Sequence, residues 1–116
     1  MKFTDFKYYE PSYGAPAAFV GSPIYEGDTR VGVLVFQLPV DQINEIMTGG
    51  QNWINDGLGN SGETYLVGSD GSMRSVSRFL IEDRDGYFEA LRGLSYPEKT
   101  IKQLDNFDTS ILLQNV

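Results

Sequence analysis

Three places in this chain carry residue types and spacings that suit chemistry. Gly57-Leu58-Gly59-Asn60-Ser61-Gly62 matches the G-x-G-x-x-G pattern of dinucleotide sites letter for letter. Such a site needs a strand before the glycines and a helix after them, so that helix N–H groups meet the pyrophosphate. Here a helix and a loop come first, and strand-like Glu63-Thr64-Tyr65-Leu66-Val67 follows. The glycines therefore read as a structural loop feeding a strand. Asp83-Arg84-Asp85-Gly86 suggests a calcium loop, but aligning Gly86 with the loop glycine puts Ile81 at the first ligand position and Arg92 at the last. Neither binds calcium. The carboxylates fit a solvated helix start, where they favour the dipole.

The third place is Gln37, the one polar residue inside the apolar run that ends at Leu38. On a strand it shares a face with Val33 and Val35. A buried amide needs partners, from a neighbouring loop or from a bound molecule. Tyr8, Tyr9 and Tyr13 cluster near the start. An aromatic ring with a polar tip suits a small-ligand pocket and equally suits a half-exposed strand.

Catalysis finds little to work with. The chain has no His and no Cys, which removes the commonest general base, the commonest transition-metal ligand and any thiolate. No serine lies in a Ser-x-x-Lys or Gly-x-Ser-x-Gly setting, and no pair of carboxylates stands apart from the rest. The expectation is a protein that is not an enzyme, without metal or cofactor. Sixteen Asp and Glu against nine Lys and Arg give a formal charge of −7, with the basic residues scattered. Nucleic acid and anionic membrane surfaces are thereby disfavoured as partners.

The elements that must hold these residues can be read in turn. Hydrophobic residues make up 41% of the 116, enough for a core and for one domain of ordinary size. Phe3–Tyr9 reads as a strand, Pro11–Pro16 as turn chemistry and Ala17–Tyr25 as a second strand. Glu26-Gly27-Asp28-Thr29 has the length of a hairpin loop. Arg30–Leu38 is apolar on both parities, which predicts a central strand covered on both faces. Val40, Ile43 and Ile46/Met47 recur at helical spacing until Gly49-Gly50. In the loop that follows, Trp53, Ile54 and Leu58 read as anchors.

A second hairpin is expected from Glu63–Gly68 and Met73–Ser77. Short helices should follow, anchored by Tyr87, Phe88, Leu91, Ile101 and Leu104, with Pro97 at a helix start. Thr109–Val116 reads as a last strand, and its abrupt end makes the chain look cut. The order predicts an α+β fold with an antiparallel sheet. No signal peptide opens the chain, and its longest apolar run is too short to span a bilayer.

Three stretches together resemble the Cache family, the PAS-like extracytoplasmic sensor domains of bacterial receptors. They are Pro16–Tyr25, Val31–Asn44 (a hydrophobic strand passing into a helix) and Gly57–Ser75 with its Thr64-Tyr65-Leu66-Val67-Gly68-Ser69-Asp70-Gly71 core. The resemblance implies a PAS-like antiparallel sheet with short flanking helices, in a truncated double-Cache arrangement. Residues 1–48 would be the end of a membrane-distal module and 49–116 the beginning of a membrane-proximal one. It implies a periplasmic or extracellular part of an inner-membrane receptor, a homodimer in its full form. Such receptors bind a small metabolite, of carboxylic or amino acid class, and signal to a chemotaxis, kinase or nucleotide-cyclase output.

Amino-acid-binding members usually carry an Asp on the strand matching Val31–Leu38, and here Gln37 stands in its place. An amide offers an ammonium no full charge, which sets the amino-acid assignment in doubt. Gln37 and Tyr8 are the expected pocket residues of the first module, with Tyr65 and Arg74 those of the second. The alternative reading is a cytoplasmic PAS-like protein-interaction domain with no ligand.

Overall fold

The computed structural model describes residues 1–107 and 109–111. Over the described residues the protein is α+β, with a three-stranded antiparallel sheet and four short helices. It divides into two compact units, Met1–Val40 and Asp41–Val116. The division falls one residue into the first helix, after Val40, whereas the resemblance places it after Thr48.

The first unit is a meander in spatial order β1-β2-β3: β1 (Lys2–Tyr8), β2 (Pro16–Glu26) and β3 (Thr29–Gln37). Tyr9 begins the first connection, accepting from the Gly14 N–H at 3.0 Å and donating to the Ala15 carbonyl at 3.2 Å. Tyr13 (φ 55°) and Gly14 (φ 80°) reverse the chain, Gly14 without the steric cost that Cβ adds in the left-handed region. Glu26 pairs with Thr29 across a two-residue loop. Gly27 takes φ 59° at the first loop position, where a primed hairpin turn demands it.

β2 is the middle strand, and its small residues Ala17 and Ala18, on opposite faces, are both buried, as is Phe6 of β1. Here the structure corrects the expectation for β3. That strand lies at the edge of the sheet, and Val33, Leu34, Val35 and Phe36 are all exposed, Phe36 by 61%. Apolar residues on both parities describe the side chains a strand presents, whereas its position is set by which strands find it.

All of α1 (Val40–Thr48) but its first residue belongs to the second unit, and the helix ends at Gly49 and Gly50, whose φ values of 58° and 63° leave the helical region. Ile46 is exposed rather than core-facing. Three helices close the unit: α2 (Arg78–Glu82), α3 (Arg84–Gly93) and α4 (Glu98–Asn106). Their apolar faces meet in one cluster of Leu80, Tyr87, Phe88, Leu91, Ile101 and Leu104, against which Val76 packs. Tyr87 and Phe88 meet edge to face, with centroids 5.4 Å apart. All five expected helical anchors therefore lie in the core.

Asp83 caps α3, its carboxylate accepting the Gly86 N–H at 3.0 Å. The acidic run is thus a helix start, as its carboxylates suggest. Pro97 is the N-cap of α4. Trp53 is buried and Leu58 half-buried, but Ile54 is exposed.

The second hairpin is reduced to its turn. Gly68 N–H donates to Ser72 O and Arg74 N–H to Leu66 O, each at 2.8 Å, around a single Val67–Met73 bridge. Tyr65, Leu66 and Val67 remain exposed, and two strands without a covered face do not hold a long ladder. Thr109–Ile111 are not in a strand, and the rest of the expected last strand lies outside the described residues.

Candidate functional site

The register of the first unit collects one set of side chains on one face. Lys2 pairs with Gly21 and Gly21 with Val35; Thr4 pairs with Phe19 and Phe19 with Gln37; Pro23 pairs with Val33. Directly opposed residues of an antiparallel pair project to the same side. A cavity of about 380 Å³ opens along this face, within the size range of small-molecule sites. Phe19, Pro23, Val33 and Val35 give it an apolar floor, Thr4 supplies a hydroxyl, and Lys2 and Arg30 supply positive charge.

Among the described residues that line this cavity there is no carboxylate, although acidic residues outnumber basic ones in the chain by sixteen to nine. Gln37 extends the same face beyond Val35, beside Phe19. Tyr9 reaches this end too, its ring edge-on to Phe19 at a centroid distance of 5.0 Å. The arrangement suits a small organic anion. Two cations attract the charge, and the apolar floor accepts the rest of the molecule.

Of the expected pocket residues, Gln37 and Tyr8 lie in the first unit and Tyr65 and Arg74 in the second. Gln37 is exposed, so its amide is under no compulsion to find a buried partner. Tyr8 pairs with Pro16, which puts it on the opposite face from Gln37. Desolvation there pushes its phenol pKa up.

Tyr65 is 49% exposed in the loop ahead of the turn. Arg74 is committed locally. Its guanidinium meets Asp70 at 3.0 Å and the Ser72 carbonyl at 3.2 Å, and lies where a side chain at Gly68 would have to go. The Ser72 N–H and then Arg74 hold the Asp70 carboxyl below its usual range. Arg74 thus pins the Ser69–Ser72 turn.

Sequence reasoning passed over a second constellation, centred on Arg78. This side chain is 6% exposed. Its Nη1 donates to the Gly59 carbonyl at 3.0 Å and to the Gly62 carbonyl at 2.8 Å. Its Nε lies 2.9 Å from Glu82, and its guanidinium stacks 4.6 Å above the Trp53 ring. Glu63 completes the arrangement by accepting from the Arg78 N–H at 2.6 Å and from the Ser77 hydroxyl at 3.2 Å.

These contacts explain the glycine pattern. Gly57 and Gly59 take φ values of 82° and 64°, and a Cβ at Gly62 would run into the Leu58 carbonyl. The glycines form a tight loop whose carbonyls face a buried guanidinium, and neither a strand nor a helix follows directly. A phosphate cradle needs amide N–H groups presented at a helix start, so the cofactor reading fails on geometry. The available signal was an arginine placed directly after Ser77, the N-cap of α2, and followed at i+4 by Glu82.

Among the described residues no group of three His, Cys, Asp or Glu side chains could hold a metal ion. None of the described helices is long and apolar enough to cross a membrane. In comparisons with known proteins, no family model matches the chain, and neither a curated protein nor a solved structure does.

Proposed function

We propose that this chain is the ligand-sensing part of a bacterial transmembrane signalling receptor, with the PAS-like extracytoplasmic sensors as its type. The observation that carries the reading is the cation-bearing, carboxylate-free cavity on the β1-β2-β3 face, with Gln37 on the same face. The passage of β3 through Pro39 directly into α1 supports it, because it is the strand-then-helix order of the second resembling stretch.

The ligand is a small organic anion, a carboxylic acid in preference to an amino acid. Lys2 and Arg30 attract the carboxylate, and Gln37 offers an amide hydrogen bond without the charge an ammonium would require. Sensing works by differential affinity. A ligand that binds one packing of the sheet and its surroundings more tightly shifts a pre-existing equilibrium, and the receptor relays the shift to its cytoplasmic output. Such a receptor sits in the inner membrane, faces the periplasm or exterior and signals as a homodimer.

A thermal-shift panel of matched carboxylates and amines on the full chain tests the reading. Carboxylates should raise the melting temperature while amines should not. Gln37→Ala should weaken the best carboxylate about ten-fold, the worth of one hydrogen bond to a charged group. An unchanged response in Gln37→Ala would remove Gln37 from the site. A panel with no carboxylate response would end the sensor reading in this form.

A further inference from the structure

Most arginines of this chain have a carboxylate beside them. Arg74 meets Asp70 at 3.0 Å, Arg78 meets Glu82 at 2.9 Å, Arg84 meets Asp105 at 2.6 Å and Arg92 meets Glu98 at 3.6 Å. Arg30, the remaining one, is exposed and pairs with no carboxylate among the described residues, in a chain with sixteen Asp and Glu. Lys2 is likewise exposed and without an acidic partner among the described residues. Both line the cavity on the sheet.

Arg30 reaches this face through an irregularity. In β3, Gly32 stands opposite Ile24 and Arg30 opposite Tyr25, so Val31 is an extra residue and the strand bulges there. Side chains alternate along a regular strand, which would put even-numbered Arg30 and odd-numbered Val33 on opposite faces. The bulge reverses the alternation. It sets Arg30 opposite Tyr25, which shares its face with Pro23 and Val33, and re-aiming a side chain in this way is what a bulge does.

The two cations stand at opposite corners of the floor. Lys2 lies on β1 opposite Gly21, and Arg30 lies on β3 opposite Tyr25. Strand rise and strand spacing then put their Cα atoms roughly 16 Å apart. Gly21, Pro23, Val33 and Val35 occupy the ground between them. Drawing both cations onto a single carboxylate would lay two long side chains across this floor, hide it from a ligand and cost rotamer freedom.

We infer that the cavity takes an elongated dianion, two carboxylates joined by an apolar spacer. One carboxylate sits on Arg30, the other on Lys2, and the spacer lies over Gly21, Val33 and Val35. The inference rests on the carboxylate-sensing reading and narrows it. The planar guanidinium of Arg30 suits bidentate pairing, whereas Lys2 is a point charge on a flexible stem that can follow the length of the spacer. Gly21 leaves the spacer room. A Cβ there would meet nothing closer than the Leu34 carbonyl and Val35 Cγ2, each at 3.8 Å, so the fold does not demand glycine at this position.

Isothermal titration calorimetry of the full chain with suberate, octanoate and succinate tests it. Suberate should bind about ten-fold tighter than octanoate, which has the same length and one carboxylate fewer, the worth of one charged contact. It should exceed succinate by a similar factor, because succinate is too short to span the floor. Arg30→Gln and Lys2→Gln should each abolish the advantage of suberate over octanoate. Lys99→Gln, the same charge change in the second unit, should leave that advantage intact. Gly21→Leu should weaken suberate by about ten-fold by filling the floor.

Equal binding of suberate and octanoate would overturn the inference and leave carboxylate sensing standing, whereas no binding of any of the three would overturn both. Succinate binding as tightly as suberate would also overturn the inference. So would Lys99→Gln erasing the advantage as fully as Lys2→Gln, or Gly21→Leu binding suberate as the wild type does.

Discussion

Replacing Arg78 with alanine is expected to destabilise the second unit by about 3 kcal/mol, the scale of breaking a buried, hydrogen-bonded charge. The substitution strips the Gly59 and Gly62 carbonyls of their donor, removes the ion pair to Glu82 and uncovers the Trp53 ring. Arg78→Lys should recover only part of the loss. An ammonium cannot span two carbonyls and a carboxylate while stacking on an indole. Urea unfolding followed by fluorescence reads this out locally, because Trp53 is the only tryptophan and lies under the substituted side chain. A loss below about 1 kcal/mol, the range of an exposed ion pair, would mean that the glycine loop holds its shape without the guanidinium.

The second large effect is expected at Ile101, which is 1% exposed within the helical cluster. Ile101→Ala should cost about 3 kcal/mol, lost burial and residual cavity together, and Ile101→Val about 1 kcal/mol. Leu94→Ala, at a residue 72% exposed, should change stability by less than about 0.5 kcal/mol. The same tryptophan signal applies. Because the chain forms two compact units, one global unfolding energy is not assumed, and each variant is read through the probe of its own unit. Equal losses at Ile101 and Leu94 would contradict the assignment of the core.

How far these features were visible in the residues depends on how local their causes are. The three strands, the Gly27 hairpin, α1 with its glycine stop, the Asp83 cap and the five helical anchors all follow from side-chain period and turn chemistry. These act over a few residues. The edge position of β3 did not follow, because alternation reports which side chains a strand offers and not which strands flank it. The face on which Tyr8 stands was hidden for a sharper reason. A register shift between Thr4 and Lys7 changes the parity of everything after it, and without it Tyr8 would stand on the face of Gln37.

The role of Arg78 was hidden because its partners are carbonyls sixteen and nineteen residues back, and carbonyls carry no sequence signature. Of the site itself, Gln37 was legible as the odd polar residue in an apolar run. Lys2, Thr4 and Arg30 were not, since only the strand register sets them along one cavity.

Amide chemical-shift mapping by two-dimensional NMR during titration with a small carboxylate tests the sensing face most directly. Binding on that face predicts saturable shifts at Lys2, Thr4, Phe19, Gly21, Val35 and Gln37, with the amides of the helical cluster around Ile101 unmoved. Shifts confined to the second unit, or none up to saturating carboxylate, would contradict it.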